Sequence, residues 1–303
     1  MEDSGIVIID KPSGWSSFRV VQFAKRTLGV KRAGHTGTLD PLATGVLPVC
    51  LNEATKAIPF LLEDEKEYEG ALVLGAATDT FDCEGRIVSE SDVPEITLAE
   101  AQSIFGDFTG DMKQIPPIFA ALKSNGKPLY YWARKGIPVE KEARHIRIKE
   151  LKIEKFDPPE IAFRVVCSRG TYIRSLVNDI GRRIGCGAYL NRLRRLRSGP
   201  FTIGEAVLPG DLKESDVRPI CSVLGHIPSV KVEGGLSRNV EHGMEISVDK
   251  LSILPGSSEK ETPLIKILTK QGSLLAIYSW KDNGQNLKPV RVFKARSDIV
   301  AEP

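Results

Sequence analysis

The chain has 303 residues, 41% of them hydrophobic and 27% charged, and its formal net charge is +3. This length and composition suit one large domain with a smaller one and exclude a disordered chain. No run approaches the ~18 consecutive apolar residues of a membrane span, and the acidic start Met1–Ser4 is unlike a secretory leader. We therefore expect a cytoplasmic protein with no membrane segment.

The first elements are a strand, a turn and a helix. The β-branched run Ile6–Asp10 predicts a buried strand that closes in the turn Lys11–Gly14. Ser16 or Ser17 can cap a helix that ends before Gly29. We expect the buried face of this helix to contain Phe18, Val21 and Leu28.

Further apolar and alternating runs predict strands at 46–51, 68–74, 145–151, 161–167, 264–267 and 274–278. A capping box at Thr97 predicts a helix from Leu98 to Phe105, and Arg174 opens another that ends at Gly185. The segment Tyr189–Leu196 has leucine at every third position with arginines between, which predicts a basic amphipathic helix.

The order of these elements predicts an α+β fold with a mixed or antiparallel sheet, because strands and helices do not alternate regularly. Periodicity is weak from Ile115 to Arg144, and so long an irregular stretch is more often functional than idle. The pattern of the sequence changes after Cys221, where short strand-like runs predominate. We therefore expect one domain over residues 1–226 and a small β-rich domain over 229–303.

Positive charge is concentrated between Lys141 and Arg197, where 15 Lys and Arg stand against 6 Asp and Glu. The excess of +9 leaves −6 for the rest of the chain. An excess of this size favours a polyanionic partner, and a solvated face laced with charges is the alternative.

The densest group of polar residues is the loop Gly34–Gly45, GHTGTLDPLATG. Its glycines allow a close approach of the backbone to a ligand. Asp40 could be a nucleophile, a base or a metal ligand, or it could merely cap a helical turn that Pro41 begins. A P-loop and a complete dinucleotide fingerprint do not occur, and the five cysteines and four histidines are too scattered for a disulfide framework or a zinc site.

Five segments in the same order resemble the TruB family of pseudouridine synthases, which act on the T-loop uridine (position 55) of transfer RNA. They are the loop around Asp40, DKPSGWSS at residues 10–17, KEY ending at Tyr68, GTYIRSL at 170–176, and the basic segment from Gly187 to Leu196. The resemblance spans roughly residues 5 to 200.

The resemblance implies a catalytic role for three residues. Asp40 would be the nucleophile, Arg174 would pair with it and keep it ionised, and Tyr68 would stack on the target base and is a candidate for removing the proton from carbon 5. The family cuts the base from its ribose at nitrogen 1 and rejoins it through carbon 5. It uses no cofactor and no metal.

The resemblance also implies residues that bind the substrate. Tyr172 and Leu193 would line the uracil pocket, and His35 would contact the everted nucleotide or fill the gap it leaves. The stretch Ile115–Arg144 resembles a thumb insertion that folds over the RNA. The phosphate-contact candidates in it are Lys123, Lys127, Arg134 and Arg144.

Position 72 is not used in this set of substrate-binding residues. The residue there is Leu72 and not a tyrosine, and the tyrosine of this strand is Tyr68. Leu72 and Leu74 alternate with Val73, which predicts an ordinary strand position for residue 72.

The partner implied is the T-arm of tRNA, with no obligatory protein partner, and the β-rich C-terminal domain resembles a PUA-type RNA-binding domain. Two alternatives remain open. One is a guide-RNA-dependent, dyskerin-like synthase; the other is a non-catalytic tRNA-folding or RNA-binding protein on the same scaffold.

Overall fold

The computed structural model describes residues 4–61, 65–120, 123–124, 126–128, 131–132, 135, 137, 139, 141–251 and 263–293. Its largest unit is a mixed sheet. The eight strands on the main path, in spatial order, are β14 (Arg218–Pro219), β1 (Gly5–Lys11), β3 (Thr44–Leu51), β12 (Ala188–Ser198), β4 (Glu65–Leu74), β11 (Glu160–Ser168), β10 (Arg144–Asp157) and β7 (Gly110–Gln114).

Short strands extend this framework. β2 (Ala33–His35) pairs with β3, and β13 (Phe201–Thr202) pairs with β12. Two small hairpins stand apart, made of β5 (Ala76–Thr78) with β6 (Ile87–Glu90) and of β8 (Lys123–Ser124) with β9 (Lys127–Pro128). Only β3 and β12 run parallel within the large sheet as described. The predicted α+β class with a mixed sheet is confirmed.

The α-helices whose bounds fall among the described residues are α1 (Ser17–Thr27), α2 (Leu98–Gly106), α3 (Ile173–Ile184), α4 (Ile220–Val223) and α5 (Gly234–Glu241). Local signals set their ends. Ser16 caps α1, Thr97 and Glu100 form the predicted capping box of α2, and Gly185 ends α3 in the left-handed conformation. A 3₁₀ helix spans Asn52–Phe60, and shorter ones are Ile203–Glu205, Pro209–Asp211, Glu214–Asp216 and Val248–Lys250.

Each face of the large sheet carries its own core, because successive side chains of a strand point to opposite faces. Val7 and Ile9 of β1 pack in the cluster that holds α1 and α3. Ile6 and Ile8 pack in a second cluster that also contains Ile277.

A second sheet contains the strands β15 (Ser229–Val232), β17 (Leu264–Thr269), β18 (Leu274–Lys281), β19 (Asn286–Val292) and β16 (Ile246–Ser247), in that order. It has its own core around Tyr278 and Leu287, both 0% exposed. Ile277 faces the other way, onto the large sheet. The small β-rich unit therefore shares a hydrophobic core with the rest of the chain.

The predicted helix over Tyr189–Leu196 is wrong, because this segment lies inside strand β12. Two register irregularities, between Leu190 and Arg192 and between Arg195 and Arg197, interrupt its pairing with β4. A bulge adds one residue to a strand, so two buried positions can stand three residues apart instead of two. Leu190 and Leu193 are both buried for this reason, and their spacing imitates a helix.

The predicted buried face of α1 is also partly wrong. Phe18 is 69% exposed, whereas Ser17, Val20, Val21 and Ala24 face the core. The Ser17 hydroxyl occupies the inward position next to Phe18 because it bonds the backbone of Leu39.

Candidate active site

The segment from residue 36 to residue 43, here called the Asp40 loop, leads into strand β3. Its backbone turns at Asp40, whose carbonyl accepts a hydrogen bond from the Ala43 amide at 3.1 Å. The Asp40 carboxylate accepts instead from Arg174, with Nε to Oδ2 at 2.8 Å and Nη2 to Oδ1 at 3.1 Å. This is the two-point geometry by which a guanidinium fixes the plane of a carboxylate.

Further hydrogen bonds fix the position of the Arg174 side chain. Its side chain is 5% exposed, and it donates to the carbonyls of Thr80 and Phe119 at 2.9 Å each. The Asp40 side chain is 36% exposed. The pair therefore has a fixed cation and an anion that a substrate can reach.

A second carboxylate, Asp82, lies behind the pair, with Oδ2 3.6 Å from Nε of Arg174. Burial raises the pKa of Asp82, and a hydrogen bond from the Thr80 hydroxyl at 2.6 Å and the Arg174 charge oppose that rise. The Arg174 guanidinium thus lies within ion-pair distance of two carboxylates, the accessible Asp40 and the buried Asp82. Sequence reasoning missed Asp82, since no local pattern marks it.

Tyr68 lies in the middle of β4 and is 6% exposed. Burial raises the pKa of Tyr68 to about 12, and the Asp40 charge adds to the rise while Arg195 opposes it. The phenol is therefore protonated at neutral pH, and it lies close enough to Asp40 for the two groups to interact electrostatically.

Position 72, four residues further along β4, contributes nothing to the site. The residue is Leu72, which is 0% exposed and packs in the main hydrophobic core. It is paired with Ile161 of β11 on one side and with Leu190 of β12 on the other. A side chain enclosed between two apolar neighbours in the centre of the sheet has no access to a substrate, so its role is packing.

Tyr172 is the N-cap residue of α3, directly before the helix that carries Arg174. Its amide donates to Gln114 Oε1 at 2.8 Å, and its carbonyl accepts from Gln114 Nε2 at 3.0 Å. Ser175 bonds the carbonyl of Ile115 at 3.0 Å. The start of the predicted insertion at 115–144 is thereby tied to the helix end that positions Arg174, and the buried Gln114 is a second residue that sequence reasoning missed.

Leu193 is 7% exposed on β12, and His35 lies half-buried on β2. Burial lowers the pKa of His35, with Arg195 and Lys66 adding to the effect, so the imidazole is neutral at pH 7. Its Nδ1 is buried and has no hydrogen-bond partner among the described residues.

Two fully buried cations support the Asp40 loop and were not predicted. Lys11, at the end of β1, donates to the carbonyls of Pro12, Trp15 and Pro41 at 2.6 to 3.1 Å. Burial lowers the pKa of Lys11 to about 8, against the attraction of Asp40. Arg195 donates to the carbonyls of Val46 and Gly37 at 2.7 and 3.1 Å.

Gly45 allows the close approach that brings Arg195 to the loop. Its φ is +100°, and a Cβ at this position would lie 2.2 Å from the Arg195 carbonyl oxygen. A larger residue would force apart β3 and β12, the parallel pair of the sheet.

The predicted phosphate contacts are only partly described. Arg144 is exposed at the start of β10, and its charge opposes the rise that burial causes in the pKa of Tyr172. Lys123 and Lys127 lie on strands β8 and β9, but their side chains and the whole of Arg134 lie outside the described residues.

Much of the positive charge between 141 and 197 is balanced by carboxylates of neighbouring strands. The ion pairs from one strand to another are Lys149–Glu65, Arg164–Glu67, Arg192–Glu160, Arg194–Asp10 and Arg197 with both Glu65 and Glu67. Arg144, Arg147 and Arg169 are exposed and make no ion pair with any described residue. Fewer cationic side chains of this segment are therefore available to contact RNA phosphates than its net charge of +9 indicates.

Within the described ranges, no three His, Cys, Asp or Glu side chains stand close enough together to hold a metal ion. In the same part of the chain, no helix is both long and apolar enough to cross a membrane.

Comparisons with known proteins identify the family of the chain. Residues 25–173 match the model of the TruB family pseudouridylate synthase N-terminal domain, and residues 174–217 match the tRNA pseudouridylate synthase B C-terminal domain. The tRNA pseudouridine synthase B of Syntrophus aciditrophicus (strain SB) is 43% identical over 90% of both chains. That of Geotalea uraniireducens (strain Rf4) is 42% identical over 95% of this chain and 97% of its own.

Solved structures show the same architecture. A chain of a Cbf5-Nop10-Gar1 complex superposes with a TM-score of 0.71 at 26% identity, covering 96% of this chain and 85% of that one. A chain of the archaeal box H/ACA sRNP Nop10-Cbf5 complex gives a TM-score of 0.70 at 26% identity, with coverages of 97% and 87%. The chain belongs to the TruB family of pseudouridylate synthases, and it is therefore an isomerase.

Proposed function

We propose that this protein is a tRNA pseudouridine synthase that converts the T-loop uridine at position 55 to pseudouridine, acting alone in the cytoplasm. The observation that carries the proposal is the Asp40–Arg174 pair, in which a buried guanidinium orients a carboxylate that remains accessible. The tRNA pseudouridine synthase B relatives, at 42–43% identity, are closer than the Cbf5 chains at 26%, which favours action on tRNA without a guide RNA.

The reaction begins at the Asp40 carboxylate. The bond between carbon 1′ and nitrogen 1 breaks, the freed uracil turns within the pocket, and carbon 5 bonds to carbon 1′. Nitrogen 1 ends with a proton and carbon 5 loses one, so the product is an isomer and no electrons are exchanged with a cofactor. Asp40 must be ionised to start this sequence, and Arg174 stabilises that charge through two hydrogen bonds to the carboxylate.

Tyr68 has two candidate roles in the reaction. The target base must leave its stack, at a cost of a few kcal/mol, and stacking on Tyr68 offsets part of that cost. Because the pKa of Tyr68 is about 12, its hydroxyl is a proton donor at neutral pH. We therefore assign Tyr68 to stacking first, and to the carbon 5 proton only where the bound substrate activates it.

The proposal also gives the second sheet a role. We assign the β-rich unit from residue 229 onward to RNA binding as a PUA-like domain, with the catalytic domain over residues 1–226. Its shared core with β1 and β3 gives it a defined position on the large sheet.

The decisive experiment incubates the purified chain with a T-arm hairpin and with whole tRNA. Mass analysis after cyanoethylation, together with carbodiimide mapping, detects pseudouridine at position 55. Product from the pure protein supports a stand-alone enzyme. Product only after addition of a guide RNA favours the dyskerin-like alternative, and RNA binding without any product favours the non-catalytic one.

Asp82→Asn tests the buried carboxylate behind Arg174. The amide keeps the size and the Thr80 hydrogen bond but removes the charge that faces Nε, so we expect kcat to fall about 10-fold with RNA affinity unchanged. Single-turnover kinetics on the hairpin measures this. Asp107→Asn, which changes a 54% exposed carboxylate, is the matched control; equal rates in both variants would exclude a role for Asp82.

RNA affinity should fall steeply with salt, because each neutralised phosphate releases counterions and adds about 0.7–0.9 to the slope of log Kd against log salt. We expect Arg144→Gln to lower the slope by about one phosphate. Arg182→Gln, at an exposed position near the far end of α3, should leave it unchanged. Titrations between 50 and 300 mM salt (roughly the range in which such contacts are screened) measure the slope, and an unchanged slope in Arg144→Gln would remove it from the contact surface.

A further inference from the structure

An aromatic and cationic surface lies at the start of helix α1, which we call the α1 platform; it contains the half-buried Trp15 and the exposed Phe18 and Arg19. Phe18, at 69%, is the most exposed large apolar side chain of the described residues. The Arg19 Cζ lies 4.2 Å from the centroid of the Trp15 ring, and Trp15 meets Phe23 edge to face at 5.5 Å. Phe18 is no part of the buried face of α1, so the fold does not explain its presence.

The platform is joined directly to the Asp40 loop. The Ser17 hydroxyl accepts from the Leu39 amide at 2.8 Å and donates to the Leu39 carbonyl at 3.0 Å. The Gly14 amide donates to the Pro41 carbonyl at 2.9 Å, and the Lys11 ammonium bonds the carbonyls of both Trp15 and Pro41. These bonds hold the platform next to the Asp40 loop.

The charge of this helix suits a polyanion. α1 contains Arg19, Lys25 and Arg26 and no acidic residue. Arg19 makes no ion pair within the described part of the chain. α1 packs beside β1, β2 and β3, whereas Arg144 begins β10 on the other side of β12 and β4. An RNA loop bound at Asp40 would therefore meet cations on both sides.

We propose that the α1 platform binds an unpaired base of the RNA substrate beside the Asp40 loop, with Phe18 stacked on the base and Arg19 at the adjoining phosphate. The proposal rests on the proposed function, since it places a second nucleotide of the same RNA next to the target uridine. Aromatic rings and guanidinium planes that stack on unpaired bases are the common means of binding single-stranded RNA. A cationic surface continuous with the catalytic loop favours RNA over an apolar protein partner.

The test compares Phe18→Leu with Phe18→Tyr, both in an Asp40→Asn background so that the RNA is bound but not converted. Leucine keeps an apolar side chain but cannot stack, whereas tyrosine can. We expect Phe18→Leu to weaken T-arm hairpin binding about 10-fold and Phe18→Tyr to stay within 2-fold of the parent. Fluorescence anisotropy gives the Kd, and a 2-aminopurine scan of the loop identifies the stacked base by quenching that Phe18→Leu removes.

Leu98→Ala is the matched control, because it shortens a 43% exposed apolar side chain at the start of α2. It should leave the affinity unchanged. Phe18→Leu in the otherwise wild-type chain should raise KM and leave kcat within 2-fold, since the platform does not touch the reacting atoms. An Arg19→Gln variant should lower the salt slope by about one phosphate.

Equal affinity in Phe18→Leu and its parent would overturn the platform even if the wild-type chain makes pseudouridine, and it is also the result that a protein-binding surface would give. Failure of the wild-type chain to modify any RNA would overturn the proposed function instead. The two failures differ because the platform is measured by binding and the function by product.

Discussion

Asp40→Asn is expected to abolish pseudouridine formation while the chain still folds and binds tRNA. The amide has nearly the same shape, but it carries no charge and cannot act as the nucleophile, so we expect a loss of at least ~10³-fold in rate. The side chain is 36% exposed, so its replacement leaves no buried cavity. Carbodiimide mapping of tRNA after prolonged incubation measures the product, and filter binding measures the affinity, which should change less than about 3-fold.

Asp157→Asn is the control for this change. Its carboxylate is 70% exposed at the end of β10 and pairs only with Lys155 among the described residues, so the variant should match the wild-type rate. If Asp40→Asn formed pseudouridine at a rate near that of Asp157→Asn, Asp40 would not be the nucleophile.

Arg174→Lys is expected to reduce turnover far more than affinity. A lysine retains the positive charge but cannot bond both Asp40 oxygens and the Thr80 and Phe119 carbonyls together. Each hydrogen bond to a charged group is worth about 1.5–3 kcal/mol, so a kcat about 100-fold lower is the expected effect. We expect Kd for tRNA to stay within about 3-fold, because Arg174 is buried and is already bonded within the protein.

The same substitution removes bonds that hold the start of the insertion, so the melting temperature should fall as well. Arg183→Lys, in the last turn of the same helix and 61% exposed, should change neither turnover nor stability. A wild-type kcat in Arg174→Lys would show that the two-point contact with Asp40 is not needed for the reaction.

Local patterns predicted most elements of the fold. The strands at β1, β3, β4, β10 and β11 and the caps of α1, α2 and α3 follow from runs of apolar residues and from short capping signals, which depend only on near neighbours. β12 could not be predicted in this way. Its bulges arise from pairing with β4, more than 110 residues earlier in the chain, and they give its leucines a helical spacing.

The site residues also divide into those that local sequence patterns predicted and those that only the fold revealed. The Asp40 loop is rich in glycine and polar residues and was identifiable at once, and the family resemblance added Arg174, Tyr68 and Tyr172. Asp82 and Gln114 have no local signature, because a single polar residue in a strand or turn is ordinarily a surface residue. Lys11 and Arg195 lie in two of the family-like segments, but nothing in those segments predicted that they support the loop. Burial makes them part of the site, and burial depends on which strands become neighbours.

By itself the sequence determined the chemical identity of the reacting loop, the ends of the helices and the family to which the chain belongs, because short motifs and capping residues carry that information locally. Only the tertiary structure decided that Asp40 and Arg174, 134 positions apart, bond each other at two points, and that a buried carboxylate and two buried cations surround them. The physical reason is desolvation. A charged side chain in water has no desolvation cost and pairs only weakly with other charges. A charged side chain buried beside the sheet is stable only with a hydrogen-bonded or oppositely charged partner, and the packing of distant strands determines which residue that partner is.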